Sequence, residues 1–198
     1  MTVYVESNFV LEHSLQQEEW DSCDAILDLA SKGRISLVVP ALHIAIAGKE
    51  KARSRLSNDL RAQLGELGRS KPHRTVPATF EALVSVLITR AQFERDGVRE
   101  TISALLSTAD VIALDGTILR SAADIQVEFG VSGQDAIVLA SVLSHLDEHK
   151  PPESSFFNRN SKDFDDPDVV ETLERRGCRF FASFRDGLRY VIDRTESP

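Results

Sequence analysis

Apolar and polar positions follow two different periods along this chain, and each change of period marks an element. Val3, Tyr4 and Val5 form a short continuous apolar run, which reads as a buried strand. From Asn8 the apolar positions take helical spacing: Phe9, Val10 and Leu11, then Trp20, Cys23, Ala25, Ile26, Leu27 and Leu29. That predicts one or two helices, broken near Gln17 and closed by Gly33. Ile35, Leu37, Val38 and Val39 predict a second strand, stopped by Pro40. Helical spacing then runs from Ala41 to about Leu67, and "RSKPHRTVP" interrupts it as a loop.

Two helices are expected next, Phe80 to Phe93 and Val98 to Leu106, followed by a third strand from Val111 to Leu114. Ile118 to Phe129 is helical up to Gly130, and Ser132 opens the most apolar helix, "SGQDAIVLASVLSHL". "SSFF", 154 to 157, predicts a fourth strand. Asp166 as N-cap, with Pro167 at the first helical position, starts a helix that Gly177 ends. "RFFASF" holds a fifth short strand, and Phe184 to Ile192 a final helix. Strands alternating with helices predict a three-layer α/β/α fold, with a parallel sheet of about five strands covered on both faces. In such sheets ligands bind beyond the carboxyl ends of the strands.

The bulk properties narrow the function classes. A chain of 198 residues with 42% hydrophobic content has the makings of one globular domain. No apolar run approaches ~18 residues, so no membrane span is expected. The strand pattern begins at residue 3, which leaves no room for a secretory leader. Cys23 and Cys178 stand far apart without a C-x-x-C, as expected of a reducing cytoplasm and not of a zinc site. The net charge of −8 excludes a protein that coats nucleic acid electrostatically. A local basic patch remains open: Lys49, Lys51, Arg53, Arg55, Arg61, Arg69, Lys71, His73 and Arg74 cluster. They read first as a solvated helix face with a basic turn, and second as a nucleic-acid contact.

The polar residues just after the strands carry the candidate chemistry. Glu6 follows the first strand, and Asn158, Asn160 and Asp163 follow the fourth. Asp135 lies in the first turn of the most apolar helix. Converging carboxylates repel unless a cation joins them, and Mg²⁺ or Mn²⁺ takes such oxygen ligands. Each acid has a structural reading as well. Asp135 stands three residues after Ser132, the spacing of a capping box. Glu6 could be a solvent-facing strand end, and Asp163 with Asp165, Asp166 and Asp168 a loop and a cap.

In order along the chain, "VYVESN", "LVVPA", "GVSGQDAIVLAS" and "FFNRNSKDF" together resemble the PIN-domain family, most nearly the bacterial PIN proteins that include VapC-type toxins. The resemblance implies a single PIN-like domain over 1–198 with a helical insertion at about 48–76. It implies a metal-dependent ribonuclease that hydrolyses phosphodiester bonds with Mg²⁺ or Mn²⁺. By position the first family acid falls on Glu6, where aspartate is usual, and the acid of the "DA" motif on Asp135. The acids after the fourth strand fall on Asn160, an amide here, and on Asp163. Glu6, Asp135 and Asp163 are then the catalytic metal ligands, supported by Asn8 and Asn160, with Arg159, Lys162, Lys49 and Arg53 holding RNA.

The place of the family's glutamate is taken by Ile46, with Glu50 one turn later on the same helix face. Two outcomes stay open on these residues: a ribonuclease, weak or degenerate, or a catalytically inactive PIN-like module that binds RNA or a protein. The partners implied are RNA, an antitoxin or other protein, and a second copy of the chain, in the cytoplasm and away from membranes. His145 and His149 have a spacing that can bind zinc, and also suit the C-terminal end of a helix dipole. No glycine-rich phosphate loop and no G-x-S-x-G elbow occurs.

Overall fold

A computed structural model describes residues 1–41, 76–159 and 164–196, with Ala62, Glu66 and Arg69 between them. Short apolar runs form five strands: β1 (Thr2–Val5), β2 (Ser36–Pro40), β3 (Ala109–Ile112), β4 (Ser154–Phe157) and β5 (Cys178–Phe181). They pair in the order β3-β2-β1-β4-β5, all parallel. Seven helices accompany them among the described residues: α1 (Ser7–Ser14), α2 (Trp20–Ser31), α3 (Val76–Thr108), α4 (Gly116–Phe129), α5 (Gly133–His149), α6 (Pro167–Glu174) and α7 (Phe184–Glu196). The α/β class and the all-parallel five-strand sheet expected from the sequence are present, consistent with a three-layer, PIN-like arrangement.

The chain divides into two compact units, Met1–Ile44 with Glu100–Pro198, and Ala45–Arg99. The insertion expected at about 48–76 lies, apart from Ala62, Glu66, Arg69 and Val76, outside the described residues. The sheet belongs wholly to the first.

Register sorts the side chains of the sheet into two faces. Asp110, Val38, Tyr4, Phe156 and Phe180 lie abreast across the five strands. Tyr4, Val38 and Phe156 pack from that row into a core with Ile118, Ala122 and Ile125 of α4, Leu139 and Val142 of α5, and Val169 and Leu173 of α6. Residues one position along point the other way. There α2 lies on β2 and α7 on β4 and β5, and Phe9 of α1 meets Phe184 of α7 edge to face at 5.4 Å. A parallel sheet buried on both faces needs strands that are apolar throughout, and β1 has Val3, Tyr4 and Val5 all at 0% exposure.

Two expectations need correction. The pair of helices expected over 80–106 is a single helix, α3, of 33 residues. Gly97 lies inside it; an interior glycine costs only about 1 kcal/mol against alanine, which a long helix absorbs. Strand β3 begins two residues earlier than Val111 and ends at Ile112. Its neighbour β2 stops at Pro40, which is level with Ile112, so Ala113 and Leu114 have no strand to pair with. Among the described residues no single helix is long and apolar enough to cross a membrane.

The seat of α7 on the sheet depends on a missing side chain. A Cβ at Gly187 would stand 2.6 Å from the Phe157 ring, and that ring is fully buried. Overpacking of this kind costs about 1–3 kcal/mol, more than the roughly 1 kcal/mol of helix propensity that alanine brings. Gly187→Ala is therefore expected to lower stability by up to about 2 kcal/mol in urea unfolding. Unchanged stability would mean that α7 sits further from β4 than described.

Candidate functional site

From β1 the chain proceeds outward to β2 and β3, then returns to β4 on the other side of β1. The strand order reverses between β1 and β4, and the crevice at their carboxyl ends is where such sheets take ligands. Val5 and Phe157 are level in the register, so the next residues, Glu6 and Asn158, leave adjacent strands side by side. Asn8 bridges them, its Nδ2 donating to Asn158 Oδ1 at 3.1 Å.

Glu6 is no solvent-facing strand end. It is 3% exposed and serves as the N-cap of α1. Its Oε1 accepts from the Asn8 backbone N–H at 2.9 Å, and its Oε2 from the Ser7 hydroxyl at 2.6 Å. Burial raises the Glu6 carboxyl above the ordinary carboxylate value, and the negative charge of Asp135 adds to the rise. The Ser7 and Asn8 hydrogen bonds pull the other way and do not cancel it. The two acids thus feel each other across the carboxyl edge.

Asp135 sits at the start of a helix capped by Ser132, the first half of a capping box. Ser132 is the N-cap of α5, its Oγ accepting from the Asp135 N–H at 3.2 Å and donating to Asp135 Oδ2. A cap and a ligand are compatible roles, because an ionised carboxylate offers about four lone-pair sites. In donor type and charge the pair Glu6 and Asp135 fits a hard divalent cation, which commonly binds one or two carboxylates and keeps water for the rest of its shell. Among the described residues no group of three His, Cys, Asp or Glu side chains could hold a metal ion. Asp163, Asn160, Lys162, Lys49, Arg53, Ile46 and Glu50 lie outside the described residues.

Arg159 is engaged within the protein. Its guanidinium donates to Glu12 Oε2 at 2.7 Å and, more loosely, to Glu18 Oε2 at 3.4 Å. Glu12 also accepts from the Glu19 N–H at 2.6 Å. Glu19 in turn accepts from the Ser183 hydroxyl and the Phe184 N–H, both at 2.8 Å, at the start of α7. Sequence reading missed this buried network. The available signal was Asn8 and Glu12, four residues apart and so on one helix face, in a helix otherwise built on Phe9 and Val10.

The histidine pair lies elsewhere. His145 is ten residues beyond Asp135, roughly 15 Å along α5. Its Nδ1 is paired with the Tyr4 hydroxyl at 2.8 Å, and its ring stacks on His149 with centroids 3.9 Å apart. His149 Nδ1 is bonded to the His145 carbonyl at 3.1 Å. Burial, then the neighbouring His149, lowers the His145 pKa, which favours the neutral form of that ring at the end of a core helix.

No family model, no curated protein and no solved structure matches this chain.

A raised carboxyl pKa has a definite sign in stability. The folded state holds the proton more tightly than the unfolded chain, so the cost of the buried charge is absent at low pH. It grows as pH rises through the folded value. Without divalent metal, Glu6→Gln, which keeps an acceptor for Asn8, is expected to melt higher than the parent at pH 7–8. The difference should vanish as pH falls through the ordinary carboxylate range. With Mn²⁺ the order should invert, because only the parent gains by binding. Asp135→Asn keeps size and helix-capping ability but removes a charge, so calorimetry should show Mn²⁺ affinity reduced about tenfold with the fold intact.

Proposed function

We propose that the chain is a metal-dependent ribonuclease of the PIN type, hydrolysing phosphodiester bonds in RNA with Mg²⁺ or Mn²⁺. One observation carries the reading. The Glu6 carboxyl, at the end of β1 where the strand order reverses, is raised first by burial and in smaller part by the charge of Asp135 from a separate element. A carboxyl so held carries less charge than a free one, and a cation would restore it.

When bound, the cation supplies charge stabilisation at the phosphate and acidifies water. Glu6 and Asp135 hold it. The Ser7 hydroxyl and the Asn8 amide fix which way the Glu6 oxygens face, and Ser132 does the same for Asp135. Asn8 and Asn158 add amide groups that can bond a phosphate or a water at the same edge. The resemblance implies Asp163 as a third acid, Asn160 as a supporting amide, and Lys162, Lys49 and Arg53 as contacts to RNA phosphates, all outside the described residues. Arg159 is a poor candidate for that task, since the buried Glu12 already uses its charge.

A second reading has its own observation. Both Glu6 oxygens and one Asp135 oxygen take part in helix caps, which is sufficient reason for these acids in a module that binds RNA or protein without cleaving.

Incubating a labelled RNA with the protein in Mn²⁺ or Mg²⁺, in EDTA, and with Glu6→Gln separates the two. Cleavage that needs metal and falls by about tenfold or more in Glu6→Gln supports the enzyme. RNA retained intact, with Mn²⁺ unbound in calorimetry, supports the binding module.

A further inference from the structure

Helix α1 turns one face to the exit of β4. Asn8 and Glu12, one turn apart, meet two consecutive residues there: Asn8 bonds Asn158, and Glu12 bonds Arg159. The Asn158 N–H donates to Phe181 O at 3.0 Å, so the same short segment is also tied to β5. The two contacts to α1 differ in kind. Asn8 to Asn158 is a neutral bond between amides, whereas Glu12 to Arg159 is an ion pair whose acid is nearly enclosed. Glu12 has 3% of its side chain exposed and Arg159 has 34%. Glu18, 76% exposed and 3.4 Å away, adds little, as solvent-screened pairs do.

We infer that Glu12 is a positioning residue for the carboxyl-edge site: through Arg159 it clamps the exit of β4 to the helix that Glu6 caps. This rests on the reading of that edge as a metal centre. The charges nearby decide between a clamp and a phosphate contact. Burial works to lower the Arg159 pKa, but the bond and charge of Glu12, with the charges of Glu19 and Glu18, outweigh it and raise it, so the surroundings of the guanidinium are negative and disfavour a phosphate. A guanidinium that is itself the counter-ion of a buried acid is held, and holds what it is attached to. Its backbone is the first turn out of β4, so the clamp sets where Asn158 stands relative to Asn8 and Glu6.

The test uses Glu12→Gln and a double variant, Glu12→Leu with Arg159→Leu. The second guards against plain unfolding, because an apolar pair often replaces a buried ion pair without loss of stability. Hydrogen exchange is read at the Asn158 amide and, as controls, in β1 and α5; Mn²⁺ affinity is read by calorimetry. In both variants Asn158 should exchange about tenfold faster while the controls hold. Mn²⁺ should bind about tenfold more weakly, the usual effect of losing a partner that orients ligands. Unchanged exchange at Asn158 overturns the inference, as does equal acceleration everywhere. So does full Mn²⁺ affinity in a folded double variant. If the parent binds no Mn²⁺, the metal reading fails by itself. Exchange confined to the β4 exit then still upholds the clamp, and its absence removes it.

Discussion

Helix α1 begins inside the protein, directly off a central strand that is wholly buried, and its first N–H groups have no water to turn to. Every helix start leaves such donors, and burying one unpaired costs about 1–3 kcal/mol. Here the side chain of Glu6 supplies the acceptor, and its backbone carbonyl receives the Phe9 N–H at 3.0 Å. Serine, aspartate or asparagine would be the commoner cap. Glutamate satisfies the same donor, but it also places a carboxylate in a confined site whose burial resists the charge. The raised pKa, the coupling to Asp135 and the fit to a cation all follow from that one local solution.

The topology then fixes what surrounds it. Because β1 is central and flanked by β2 and β4, the exits of β1 and β4 share one edge of the sheet, and α1 must pass over the second as it leaves the first. Its polar face accordingly carries Asn8 and Glu12 toward Asn158 and Arg159. The acid Glu19 continues the network to the start of α7, where an anion is favoured by the helix dipole and by the free Phe184 N–H it accepts. Glu12 and Glu19 thereby find their partners within the protein, which accounts for two buried acids that composition alone would put on the surface.

Sequence pattern recovered the elements where a local rule speaks. Asp166 before Pro167 caps α6, Ser132 caps α5, and Gly130 and Gly177 take the left-handed conformation at φ 67° and 70°. It failed where the deciding partner is remote. Two helices were expected between Phe80 and Leu106, yet α3 runs through unbroken; β3 is trimmed by the length of β2, not by its own residues. The same division runs through the site. The position of Glu6 at a strand end was legible, but its burial was not, since exposure depends on what packs over the edge. Arg159 read as a cation available to RNA because the acid that pairs with it is 147 residues away in sequence.

The caps on Glu6 and Asp135 bear on how a cation would be held. A carboxylate free to rotate loses rotamer entropy on binding, whereas these two have lost most of it on folding through Ser7, Asn8 and Ser132. Their remaining lone pairs are aimed in advance, which favours binding. Opposing this, each carboxylate already shares its charge with donors, and Glu6 resists full ionisation. The second effect depends on pH and on the neighbouring acid, while the first does not. A cation at this edge would therefore be bound chiefly for the charge it relieves, and the geometry of the caps would decide where it sits.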